Sequence, residues 1–288
     1  MRSRAPTLAL VACAATVAVD ATCAADPFAT TGQLLDQRYV VAGGTVGAHV
    51  DLTIFHLAMA AGTSSVRGTQ EGLDVGASYG VTDQLTAGVD YAFPFAGDGT
   101  ETGKGLGPLR GFGMFLLTDT DRLTVTGSAD LDHDLCGDYT MGGSCASITT
   151  LHVGVGLKYK LAPTLALFTG APFGPGPAGE QFSARLDTPH TIELDLPAGV
   201  AFQATPQLFA FAETNLAHLR LANASTGADA ISPIFSDSDN NGLGVPLQLG
   251  GYLGVTKTLH VGATVELTDL VHAGDRYTVL VGARFFPS

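Results

Sequence analysis

No tryptophan occurs among the 288 residues, charged side chains make up only 14% of them, and cysteine is confined to four positions. Basic residues are the scarcer charge, 14 Lys and Arg against 27 Asp and Glu, for a formal charge of −13. That balance excludes nucleic acid as a partner, because phosphate binding needs clustered Lys and Arg. Long hydrophobic runs are missing too. Beyond the N-terminal region no stretch approaches the ~20 apolar residues that a membrane-spanning helix requires. Yet the mean hydropathy is +0.26, apolar for a soluble protein. A transmembrane barrel reconciles the two, since its apolar residues stand at every second position.

The N-terminus reads as a processing segment. Arg2 and Arg4 give the positive end, Leu8 to Val19 an apolar stretch too short to span, and Cys23-Ala24-Ala25 small residues for cleavage. Residues 1–25 are therefore assigned as a signal peptide, 26–38 as a short periplasmic segment and 39–286 as the barrel. Cleavage removes Arg2, Arg4 and Asp20, leaving the mature chain one unit more acidic. It also removes Cys13 and Cys23. Cys136 and Cys145 remain, in a Gly/Ser-rich loop that meets an oxidising compartment, and read as one disulfide with free thiols as the alternative.

What is present is a periodicity of two. Leu73, Val75, Ala77, Tyr79 and Val81 alternate with Gly72, Asp74, Gly76, Ser78 and Gly80. After Thr82-Asp83-Gln84 the pattern restarts as Leu85, Ala87, Val89, Tyr91 and Phe93 against Thr86, Gly88, Asp90 and Ala92. A helical face repeats every ~3.6 residues, so these segments are strands of a hairpin with a tight turn. The unit recurs at Asp119–Arg122, Ala162–Thr164, Ala204–Gln207 and Thr256–Thr258: alternating strand, short polar or Pro-containing turn, Leu, alternating strand. The other connections, about Phe95–Pro108, His133–Ile148, Pro172–Thr188, Leu221–Gly244 and Thr268–Arg276, are mostly longer and rich in Gly, Asp, Ser, Asn and Pro.

Five hairpins, one strand before them (about Tyr39–Leu52) and one after (Tyr277–Phe286) give about twelve strands. The expected fold is all-β: a transmembrane antiparallel up-and-down β-barrel in the outer membrane, with short periplasmic turns and long extracellular loops. A soluble β-sandwich also alternates. The polar set here, however, is Gly, Ser, Thr and scattered acids, not the Lys/Glu/Arg cover of a solvated face. Tyr277, Val279, Val281, Ala283 and Phe285 end on an aromatic, resembling the C-terminal assembly signal of outer-membrane barrels, although Pro287-Ser288 follow it.

Asp74-Val75-Gly76-Ala77-Ser78-Tyr79-Gly80-Val81-Thr82-Asp83-Gln84-Leu85 returns as Tyr252-Leu253-Gly254-Val255-Thr256-Lys257-Thr258-Leu259. This phrasing resembles the Gram-negative outer-membrane channel proteins that include the barrels named for the phenol-degradation MetA pathway. The resemblance covers the hairpins, hence most of residues 70–286, and implies a barrel with a transport role but no active site. As partners it implies outer-membrane lipids, the barrel-assembly machinery and small solutes.

If the apolar set faces lipid, the other set lines the lumen. Its acids are Asp51, Asp74, Asp90, Asp130, Asp132, Glu193, Asp195, Glu213 and Glu266, and its bases Arg110, Lys158, Lys160 and Arg284, with His49, His152 and His260 beside them. Carboxylate-rich linings favour cations, so the expected function is a passive channel for small cationic or polar solutes. A structural barrel whose interior is filled is the alternative, because about twelve strands lie between filled and open sizes. Phe209 and Phe211 fall in the inward phase, but a bulge turning both rings to lipid is the preferred reading, since Leu208, Ala210 and Ala212 form only a weak apolar face. Asp237, Asp239 and Asn241 match the first half of a calcium loop, but Gln248 at its last position supplies no carboxylate, so an ordinary Asx-rich loop tip is preferred and no resident cofactor is expected. His133 and His272 are the only rim histidines a hydrolase could use, and neither lies in a Ser-containing motif. An enzyme is therefore not expected.

Overall fold

The computed structural model describes residues 34–61, 64–99, 107–134, 148–170, 182–186, 191–222, 246–267 and 276–286. Its strands are β1 (Val46–Ala61), β2 (Ser64–Thr82), β3 (Leu85–Gly99), β4 (Pro108–Asp119), β5 (Leu123–Asp134), β6 (Thr149–Ala162), β7 (Leu165–Thr169), β8 (Phe182–Arg185), β9 (Thr191–Gln203), β10 (Leu208–Ala222), β11 (Leu247–Gly254), β12 (Leu259–Leu267) and β13 (Arg276–Phe285). Each pairs antiparallel with its neighbours, and β13 closes on β1 from Ala48↔Phe285 to Leu57↔Arg276. β7 and β8 occupy one place in the wall: both pair with β6 and β9, β7 near the short turn and β8 farther along. Thirteen strands thus make twelve positions. Among the described residues no helix is long and apolar enough to cross a membrane.

Closure follows from the alternation. Val75, Tyr79, Val89, Phe93, Phe115, Leu131, Val155, Val200, Leu253 and Val281 all stand exposed on the outer wall. Their strand neighbours Ser78, Thr86, Thr126, Asp130 and Lys158 are buried inside. A soluble sandwich would reverse this, putting its apolar face in the core. Only a hydrocarbon surround makes an apolar exterior over a polar interior the lower-energy arrangement.

Inner-wall glycines let large rings lie flat against the next strand. A Cβ at Gly88 would fall 2.2 Å from Phe112, and one at Gly199 2.2 Å from Phe168. Gly250 and Gly262 make the same room for Phe211 and Tyr252.

Three boundaries differ from the sequence expectation. The first strand begins at Val46, not near Tyr39, because Tyr39, Val40 and Val41 are buried as part of a separate segment. β1 and β2 run on past their alternating stretches and stay paired to Ala61↔Ser64. The long connection expected at Pro172–Thr188 contains β8, whose Ser183 pairs across to His152 and Glu193.

Candidate functional site in the barrel lumen

The lumen has two levels. At the short-turn end, which is periplasmic in this class of barrel, the inner wall carries two apolar clusters among buried polar side chains such as Thr86, Thr126, Gln203 and His260. Phe168, Phe209, Phe211, Tyr252, Ala166 and Ala201 form one cluster with Leu34, Leu35 and Phe286. Phe112, Met114 and Leu116 of β4 form a second with Tyr39 and Val40. Phe211 meets Phe168 edge-on at 6.2 Å and Phe209 at 6.1 Å. Both rings therefore point inward, correcting the expectation that a bulge turns them to lipid. The bulge of β10 lies farther up, between Asn215 and His218. Leu208, Ala210 and Ala212, weak as they are, form the lipid face.

Part of this floor, Leu34, Leu35, Tyr39 and Val40, is not wall. The chain before β1 enters the periplasmic end of the barrel and fills it. A short 3-10 turn, Leu34–Asp36, seats two leucines that are 1% and 0% exposed. The Leu35 amide donates to Gln203 Oε1 at 3.1 Å and the Val41 amide to Thr86 Oγ1 at 2.8 Å. Lys158 Nζ donates to the Gln37 carbonyl at 2.6 Å and stands 5.1 Å from the centre of the Tyr39 ring. Lys160 pairs with Asp36 at 2.5 Å, and Arg38 with Asp119 at 2.8 Å. The segment then turns out through Gly44, whose φ of +78° suits glycine and whose amide donates to the Gly80 carbonyl at 2.7 Å.

Magnitudes say what holds it. Burying each leucine is worth about 1.5–3 kcal/mol, whereas a partly exposed pair such as Lys160–Asp36 contributes about 0–1 kcal/mol. The leucines seat the segment and the cations fix its position. Within this segment Leu34, Leu35, Tyr39, Val40 and Val41 are barrel core. Tyr39 is 1% exposed and its hydroxyl has no hydrogen-bond partner. Burial, and to a lesser degree the charge of Glu213, raises that hydroxyl well above the ordinary phenol range, so it stays protonated.

Above the floor the inner wall is polar. Arg110 Nε and His152 Nδ1 both reach Asp130 Oδ1, each at 2.7 Å. Arg284 donates to Asp51 at 3.3 Å and to the Tyr252 hydroxyl at 3.1 Å. His49 Nε2 lies 3.7 Å from Asp74 Oδ1 and 3.8 Å from Asp90 Oδ1. Those separations exceed a hydrogen bond, and both oxygens remain buried without a partner. Asn215 Nδ2 donates to Asp195. Glu213 and Glu266 flank Gln248 across β10, β11 and β12. By register Asp132 faces Arg110, and Glu193 faces Ser183.

Chemically this is a vestibule rich in carboxylates, standing on an apolar floor. Lys158 and Lys160 belong to the floor, where they hold the N-terminal segment rather than balancing the wall acids. His260 also lies low, 1% exposed, its ring 5.8 Å from Phe286 and both nitrogens unpartnered. His133, a rim candidate, stands in the outer phase of β5 and meets Thr149 Oγ1 at 3.0 Å. His272, Cys136, Cys145, Asp237, Asp239 and Asn241 lie outside the described residues. The inserted segment escaped the sequence reading, although β4 carried a signal: Phe112, Met114 and Leu116 are apolar on the phase opposite to Phe115 and Leu117. A strand apolar on both phases is covered on both faces.

No family model and no curated protein matches the chain. Among solved structures it is similar to an outer membrane channel from Pseudomonas putida F1, with a TM-score of 0.55 at 9% identity, covering 91% of this chain and 99% of that one. It is also similar to the translocator domain of the autotransporter NalP from Neisseria meningitidis, with a TM-score of 0.49 at 10% identity over 84% of this chain and 88% of that one. The KdgM porin follows, with a TM-score of 0.45 at 6% identity over 83% and 99%. At such identity likeness speaks to fold. With its apolar exterior, closed register and polar interior, the chain is a transmembrane β-barrel of the outer-membrane class, with twelve strand positions.

Proposed function

We propose that the protein is a passive outer-membrane channel for small cationic or polar solutes, held shut at its periplasmic end by its own N-terminal segment. The observation that carries this is the division of the lumen: a carboxylate-rich vestibule ends on a floor of which Leu34, Leu35, Tyr39 and Val40 form part. A stopper that is a chain segment, not a wall, can leave without unpairing a strand. Carboxylates on the remaining wall bias what passes toward cations. The filled floor also favours a second reading, a structural barrel that conducts nothing.

Two finer assignments go with the first reading. The hairpin phrasing around Asp74–Leu85 supports kinship with the channels named for the MetA pathway, and the Tyr277–Phe285 alternation supports handling by the barrel-assembly machinery. The Cys136–Cys145 disulfide belongs to the same reading of an exported chain. Calcium at Asp237, Asp239 and Asn241 does not, since the site lacks its terminal carboxylate.

The test is the reversal potential of single channels in planar bilayers under a potassium chloride gradient. Openings displaced toward the potassium potential, and less so in Asp90→Asn and Glu213→Gln, support the channel. Anion preference, or no openings at all, refutes it.

A further inference from the structure

The geometry points to a binding site for organic cations in the vestibule, an ammonium group carried on an apolar body, seated on the plug. The site rests on the lumen described above but not on conduction, since a closed cup can bind without passing anything.

The argument starts from what the vestibule offers beyond charge. Above Phe211 on the same strand stands Glu213, and across β11 stands Glu266. Phe211 and Phe112, 8% and 7% exposed, are the least buried rings of the two floor clusters. Leu280 shares the inner phase of β13 with Gly282 and Arg284, and pairs across to Thr264. Acid and apolar surface are therefore adjacent within one cup. An inorganic cation uses only the first; an apolar solute is rejected by desolvation of the second's acidic neighbours.

An independent observation marks the base of the cup. The Tyr39 hydroxyl is buried, protonated and without a partner, and it lies within the electrostatic reach of Glu213. Buried polar atoms are rarely left unsatisfied, so such an oxygen signals a missing partner. Its lone pairs can accept an N–H from an ammonium whose charge faces Glu213. The lumen already pairs cations with aromatic rings: the Lys158 ammonium lies over Tyr39 at 5.1 Å, and the Arg284 guanidinium over Tyr252 at 5.5 Å.

The experiment is calorimetric titration of the detergent-solubilised full chain with three probes: phenethylammonium, 2-phenylethanol and ammonium chloride. Phenethylammonium is expected to bind at least tenfold more tightly than either of the others, by ~10-fold or more. Glu213→Gln should weaken it about fivefold and Tyr39→Phe about threefold, with heat-modifiable gel migration unchanged in both. Phe211→Leu should bring phenethylammonium closer to ammonium chloride while the alcohol stays weak. Equal affinity for 2-phenylethanol overturns the site, as does binding that Glu213→Gln leaves unaltered. Cation-selective conductance without phenethylammonium binding would sink this site and leave the channel standing. Binding without conductance would do the reverse.

Discussion

On β4 and β10 the lower and upper parts of the lumen wall follow opposite rules. Below, Phe209 and Phe211 of β10 pack with Leu34 and Leu35, and Phe112 of β4 with Tyr39 and Val40, as in a soluble core. Above, the same strands present Arg110, bound to Asp130, and Glu213, across from Gln248. The outer phase does not change between the two levels, because hydrocarbon admits only apolar side chains at either. Lipid constrains one phase of a barrel strand. The other is free to become core or vestibule, and the residues there decide whether the barrel is filled.

Substitutions that confuse the two halves test this division. The largest expected effect is in the lower half. Phe209→Ala removes a fully buried ring beneath the plug and should cost about 3–5 kcal/mol in unfolding titrations in detergent. Next comes a contrast between adjacent residues. Val89→Arg puts a charge against hydrocarbon and should cost roughly 2–4 kcal/mol, while Asp90→Asn in the vestibule should change stability by under ~0.5 kcal/mol. The reverse ranking would mean that the apolar face is not against lipid. A smaller effect is expected at the latch. Lys160→Ala loses a partly exposed pair worth about 0–1 kcal/mol, yet it should raise protease cleavage between Leu34 and Val41. The smallest is expected at the proposed disulfide. Reducing a Cys136–Cys145 disulfide removes roughly 2–3 kcal/mol of local loop constraint, and detergent melting of the barrel should hardly move.

How much of this was legible in the sequence follows from the same comparison. The outer phase was, since Val75, Val89 and Val281 repeat with a period of two opposite a phase of Gly, Ser, Thr and acids that lacks the charged cover of a solvated face. So was closure, from five hairpins sharing one recipe. The inner phase was not. Phe209 and Phe211 looked equally fit for lipid or core, because a ring is apolar in both and Leu208, Ala210 and Ala212 defined the opposite face weakly. Lys158 and Lys160 read only as bases of the lumen lining, but their partners are Gln37 and Asp36, which no periodicity connects to β6. Leu34-Leu35 and Tyr39-Val40-Val41 are too short to carry a period at all. What places them is the space between twelve strand positions, a property of the closed barrel rather than of any stretch of sequence.

The most direct test of the stoppered lumen is bilayer conductance of the full chain against a variant lacking residues 34–41, with Leu34→Asp/Leu35→Asp as a second way to unseat the segment. Gly43 and Gly44 are retained in both, and gel migration confirms the folded barrel. The account expects rare, brief openings from the full chain, and frequent cation-preferring steps of larger conductance from both variants. Identical conductance in all three folded proteins would contradict it.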